Sequence, residues 1–187
     1  DGTDGRTHHV RLPGIESLEH SPKLGGIVEL RGVGRPGEEK PTLVLATRSD
    51  IDLAAQVKAS GATWLDHRLI ERGASVADGG FGAEVQSAMT ARADHLIEQG
   101  LARRQGQQVI YARNLLDTLR RRELDATAEK LTAETGTPFQ KAASGEYVAG
   151  IYRQRLMLSS GRFAMIDNGL GFQLVPWSPS LERNLGK

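Results

Sequence analysis

The sequence predicts an α+β fold: a winged helix-turn-helix-like helical centre flanked by N- and C-terminal antiparallel β segments. Three observations carry this. Residues 1–48 are short β-type runs broken by Gly25-Gly26, Pro36-Gly37 and Pro41. Residues 49–136 are rich in Ala, Leu, Glu and Arg at helical spacing, and residues 137–187 return to alternation with glycine turns. The 187 residues carry 39% hydrophobic and 25% charged side chains, enough to bury a core.

In the first segment, strands are expected at about Thr7–Leu12, Gly26–Val33 and Thr42–Thr47. Ser49 with Asp52 resembles a capping box for a first helix, with Gly61 as its left-handed C-cap. Thr63 with Asp66 repeats the pattern for a second helix, ended by Gly73. After Asp78-Gly79-Gly80, a third helix sets Phe81, Val85, Met89, Ala93, Leu96 and Ile97 on one face, and Gly100 stops it.

Leu101–Arg104 and Val109–Ala112 flank Gln105-Gly106-Gln107, a hairpin signal. Asn114 caps a long helix ending at Gly136. Helix, helix, helix, hairpin is the order of a winged helix. Tyr147–Leu158, Arg162–Ile166 and Phe172–Val175 then form a meander, and Ser180 caps a short final helix. The two β segments are expected to pack into one small barrel, with the helical part inserted between them.

Composition excludes several functions. The absence of cysteine removes disulfides, thiol nucleophiles and Cys-ligated metals. No apolar run is long enough for a bilayer, so no membrane insertion is expected. The start, with neither Met nor an apolar leader, looks like a piece cut from a longer chain. The net charge of +1 gives no global pull toward nucleic acid.

Gly32-Val33-Gly34-Arg35-Pro36-Gly37 matches G-x-G-x-x-G, but Pro36 and Pro41 leave no helix to receive a pyrophosphate, so a turn is expected. Adjacent His8 and His9 would point to opposite faces of a strand and make a poor metal pair. Neither a cofactor nor a bound metal is expected, and nothing nominates a catalytic pair.

The local charge is more informative. From Leu101 to Arg122 the chain carries Arg103, Arg104, Arg113, Arg120, Arg121 and Arg122 against Asp117 alone. Guanidinium groups on a hairpin and the helix behind it suit a phosphate backbone. A solvated helix face explains the same pattern equally well, and the acidic first half of the middle segment supports it. In the last third, Arg153, Arg155 and Arg162 interleave with Tyr147, Tyr152, Phe163, Phe172 and Trp177. That pattern fits either an aromatic core with a charged outer face or a stacking platform for single-stranded nucleic acid, and packing has the greater weight.

Gly145-Glu146-Tyr147-Val148-Ala149-Gly150-Ile151-Tyr152-Arg153, Ser160–Ile166 and Gly171-Phe172-Gln173-Leu174-Val175-Pro176-Trp177 resemble the C-terminal region of relaxases (mobilisation nucleases) of proteobacterial conjugative plasmids and integrative elements. Ser49–Leu69, Gly100–Gly106 and the opening Asp1–Arg6 are similar to the same proteins, so the likeness covers nearly the whole chain.

The resemblance implies a parent that nicks DNA at a transfer origin through an upstream nuclease domain with a tyrosine nucleophile and a histidine-bound metal. The parent would be cytoplasmic and then pass with its DNA into a type IV secretion channel through a coupling protein. The histidine cluster is missing here, so Tyr111, Tyr147 and Tyr152 inherit no nucleophile role.

The expected function is a non-catalytic accessory domain. Its expected partners are DNA (the transfer-origin region or a single strand), the type IV coupling protein and the upstream nuclease domain. Arg103, Arg104, Arg113, Arg120, Arg121, Arg153 and Arg155 are its candidate nucleic-acid contacts. The rivals are an enzyme of unrecognised type with a site between the β segments, dependent on His8 or His9, and a winged-helix transcription regulator.

Overall fold

The structure, a computed structural model, describes all residues except 11–21, 34–41, 72–74, 144, 146 and 187, and omits the side chains of Val33 and Thr42. Its elements are β1 (Ile27–Val33), β2 (Thr42–Ser49), α1 (Leu53–Lys58), α2 (Trp64–Ile70), α3 (Gly80–Glu98), β3 (Ala102–Gln105), β4 (Gln108–Tyr111), α4 (Leu115–Thr135), β5 (Ile151–Leu158), β6 (Gly161–Asp167), β7 (Phe172–Pro176) and α5 (Pro179–Glu182). The α+β class holds. The strands form three antiparallel sheets, β1-β2, β3-β4 and β5-β6-β7.

No sheet among the described residues closes into a barrel, which corrects that expectation. Among the described residues, β1 and β2 pair only with each other, and β6 alone is flanked on both sides by ladder partners. The outer edges of β5 and β7 carry the single bridges Tyr152 to Leu185 and Phe139 to Phe172. Thr7–Val10 is irregular rather than a strand, and the rest of that expected strand lies outside the described residues, as do Gly34–Gly37 and Gly73.

Two compact units make up the chain: residues 1–59 with 63–115, and residues 60–62 with 116–187. In the first, α1 begins three residues later than the Ser49 reading implies. Asp52 is itself the N-cap, accepting from Ala55 N–H at 2.8 Å, because Ser49 is occupied with Ile51. The Thr63–Asp66 capping box at the start of α2 forms as expected, with Asp66 Oδ2 accepting from Thr63 N–H at 2.7 Å.

Asp66 has a second task. Both Asp66 and Arg92 are fully buried, and the Arg92 guanidinium donates to both carboxylate oxygens, Nε and Nη2 each at 2.9 Å. Its Nη1 donates to the carbonyls of Val57 at 3.2 Å and Ala59 at 2.6 Å, the last turn of α1. Buried Gln56 reaches Ile51 O and receives Leu65 N–H. One polar network thus ties the end of α1, the start of α2 and the middle of α3, where Leu65, Val85, Ala93 and Leu96 are also buried.

The second unit is a three-stranded sheet covered on both faces. Ala128 and Leu131 of α4 pack on Met165, Phe172 and Leu174, and the Phe139 and Phe172 rings lie 5.4 Å apart. On the other face Tyr152, Ala164 and Ile166 gather Val148, Val175, Trp177 and Leu181. Covering both faces explains why central β6 is buried along Phe163–Ile166 instead of alternating.

Glu123, 7% exposed, lies beneath the β5–β6 turn, where its carboxylate accepts from the N–H groups of Ser159 and Ser160, each at 2.9 Å, and from the Ser159 hydroxyl. Gly61 is buried against Glu123 and Ser160 rather than serving as a left-handed cap, since its backbone is not in that region. A Cβ there would overlap the Glu123 carboxylate and lie 2.5 Å from the Ser160 hydroxyl oxygen. The short α5 has Ser178 in its N-cap position, two residues before the expected Ser180, with no capping bond from the side chain.

Two substitutions test these anchors by urea denaturation. Arg92→Met strands the Asp66 carboxylate and is expected to cost about 3–5 kcal/mol. Gly61→Ala, one added methyl against a carboxylate held by three donors, is expected to cost about 1–3 kcal/mol.

Candidate nucleic-acid interface

The β3–β4 hairpin is anchored at its base and free at its tip. Leu101 is buried, donates its N–H to Leu96 O at 2.8 Å and accepts from Ala112 N–H at 2.9 Å. Gln105 pairs with Gln108 across the two-residue loop Gly106-Gln107, and Gly106 takes φ +62°, the positive value that the first position of a type II′ turn requires.

Because paired residues share a face, Arg104, Val109, Ala102 and Tyr111 lie on one side of the hairpin, and Arg103 with Ile110 on the other. The first side faces a groove of about 600 Å³ that α3 walls with Met89, Thr90 and Ala93. Arg104 is ion-paired to Asp94 of α3. Both side chains are about half exposed, so the pair contributes at most about 1 kcal/mol. Arg103 and Arg113 are exposed and have no ion pair among the described residues.

The outward surface of α3 carries Glu84 and Glu98 as well as Asp94, so it is acidic where a groove-reading helix would need to be neutral or basic. Burial, and secondarily the charge of Asp66, raise the Tyr111 hydroxyl above its ordinary range, so it stays protonated well beyond neutral pH.

The remaining candidates belong to the second unit. Arg120 lies 3.6 Å from Asp117 one turn earlier, while Arg121 is exposed, with no ion pair among the described residues. Arg153 donates to Asp167 at 3.0 Å and Arg155 to Glu182 at 3.3 Å. The N–H of Gly169, and then Arg153, hold the Asp167 carboxyl below its usual value.

Arg155 and Arg162 lie over the Trp177 ring, 5.5 and 5.7 Å from its centre, and the indole N–H donates to Glu182 at 2.8 Å. Tyr152, Phe163 and Phe172 are buried, so these rings belong to the core rather than to an open stacking platform. Tyr147 alone of the tyrosines stands fully in solvent.

His8 pairs with Asp4 at 2.8 Å. No group of three or more His, Asp or Glu side chains among the described residues is arranged to hold a metal. No helix among the described residues is long and apolar enough to cross a membrane.

The buried polar residues were the harder ones to find from sequence. Arg92 follows Val85 and Met89 and precedes Leu96 at the spacing of the apolar stripe, and Glu123 stands four residues after Leu119. A charge in a stripe position is the signal that a buried partner must exist.

A sequence family described as a protein of unknown function (DUF3363) matches residues 37–187. The chain belongs to that family. No curated protein and no solved structure matches it. The DUF3363 match begins between β1 and β2, so it takes in every helix, the β3–β4 hairpin and the whole C-terminal sheet.

Within the DUF3363 region, Tyr152 gives a pH test of the second unit. It is 2% exposed, and burial first, then the Glu182 charge, raise its hydroxyl from 10.0. The folded chain keeps this proton at pH values where the unfolded chain has released it. Stability is therefore expected to fall as pH climbs past the ordinary tyrosine value, and Tyr152→Phe to flatten that alkaline limb in urea titrations.

Proposed function

We propose that this chain is a non-catalytic accessory domain of a conjugative relaxase, and that its β3–β4 hairpin grips the backbone of transferred DNA in the manner of a wing. The observation that carries this reading is the outward face of the hairpin, where Arg103 stands exposed without a carboxylate partner among the described residues. The order of three helices followed by a hairpin supports a winged-helix description, and exposed Arg113 adds a second cation close in sequence. The resemblance of Gly145–Arg153 and Gly171–Trp177 to relaxase C-terminal regions supplies the parent.

Such contact is to phosphates and carries little sequence preference, because the acidic outer surface of α3 is unsuited to base edges. Arg103 and Arg113 lead the set, followed by Arg121. Arg104 joins by exchanging Asp94 for a phosphate. Arg153 and Arg155, engaged with Asp167 and Glu182, contribute to the sheet's own electrostatics first. The domain would act in the cytoplasm beside the upstream nuclease domain and travel with the DNA.

Fluorescence anisotropy with labelled DNA at several salt concentrations tests the reading. Arg103→Glu is expected to weaken binding and to reduce the slope of log affinity against log salt by about one unit. Asp94→Asn, which frees Arg104, is expected to tighten binding severalfold at low salt. Absence of binding at low salt removes the DNA reading and turns the same exposed surface into a docking face for the coupling protein.

A further inference from the structure

We propose that the groove between α3 and the β3–β4 hairpin is a pocket for one unpaired nucleobase, which makes the preferred ligand single-stranded rather than duplex nucleic acid. This rests on the reading that the hairpin contacts a phosphate backbone, and it adds what that backbone must look like. The groove holds about 600 Å³, within the range of small-ligand sites. Leu69, Val76, Met89, Ala93 and Val109 supply the apolar half of its lining, suited to the faces of a heteroaromatic ring.

Polar side chains, Ser75, Gln86, Thr90, Arg104 and Tyr111, make up the other half of the lining and can meet the edge of such a ring. The Tyr111 hydroxyl makes no hydrogen bond among the described residues and lies half-buried in the groove wall. Thr90 Oγ1 donates to Gln86 O at 3.0 Å, which leaves its lone pairs to accept. Gln86 is less available, because its amide already donates to Val76 O, Ala77 O and Asp78.

Arg104 also lines the groove, and its partner Asp94 is half exposed, so a phosphate next to the inserted base can compete for the guanidinium. Arg103 on the opposite face of the hairpin is placed for the phosphate beyond. A base within a duplex meets these groups only after being extruded, at a cost of a few kcal/mol, whereas a single strand offers its bases without that cost. The acidic outer surface of α3 repels the second strand that a duplex would bring.

The test compares three labelled oligonucleotides of one length with the whole chain at fixed low salt: a single strand, the same strand with abasic sites throughout, and its duplex. The expected result is that the intact single strand binds at least about fivefold more tightly than the abasic strand, the value of one stacked base, and more tightly than the duplex. Val109→Glu, on the groove face of the hairpin, is expected to abolish the difference between intact and abasic strands while far-ultraviolet circular dichroism stays unchanged. Should that variant fail to fold, the abasic comparison on the unmodified chain decides alone. Equal affinity for intact and abasic strands, or duplex binding as tight as single-strand binding, overturns the pocket while leaving backbone contact standing. No binding of any of the three overturns both.

Discussion

The first unit depends on one buried ion pair. Asp66 and Arg92 have no contact with solvent, and between them they organise three helices. An isolated charge in that position would be intolerable, so each residue is admissible only because the other is present with its remaining hydrogen-bonding capacity filled. The carboxylate takes the Thr63 cap and the guanidinium takes the frayed carbonyls of α1. α1 is only six residues long and could not hold itself as an isolated helix, so its geometry is imposed by these contacts. The hairpin inherits that order, because Leu101 at its base is hydrogen-bonded to Leu96 in the last turn of α3.

The second unit uses a carboxylate in the same way at a different kind of junction. Glu123 projects from α4 and satisfies the backbone of a β-turn, so the helix and the sheet cannot slide past each other without exposing unpaired N–H groups. At the other face Glu182 accepts instead from side chains, those of Trp177, Tyr152 and Arg155. In both units the apolar contacts supply most of the driving force, and a few buried acids select one arrangement among many.

Much of the fold could be read from periodicity and punctuation. The Thr63–Asp66 box, the hairpin around Gly106 and the ends of α3 and α4 at Gly100 and Gly136 follow from local chemistry and appear where local chemistry puts them. Other features could not be read this way. Gly61 resembles a helix stop, but its role is set by Glu123, sixty-two residues away. Sheet assembly has the same character: β-type runs at the two ends of a chain carry no label saying whether they pair, and the described strands form separate sheets. The candidate arginines were recognisable as a cluster, while the separation of Arg103 from carboxylate-bound Arg104, Arg153 and Arg155 depends on tertiary neighbours such as Asp94.

The two-residue loop at the hairpin tip has a mechanical consequence. A turn this short leaves no slack, so the strands behind it form a stiff lever whose angle was fixed when the helices packed. An anion arriving at Arg103 meets a side chain on an already immobilised backbone, and only its terminal rotamers remain to be frozen. Encounter would then be governed by diffusion and long-range attraction instead of by any slow rearrangement of the main chain.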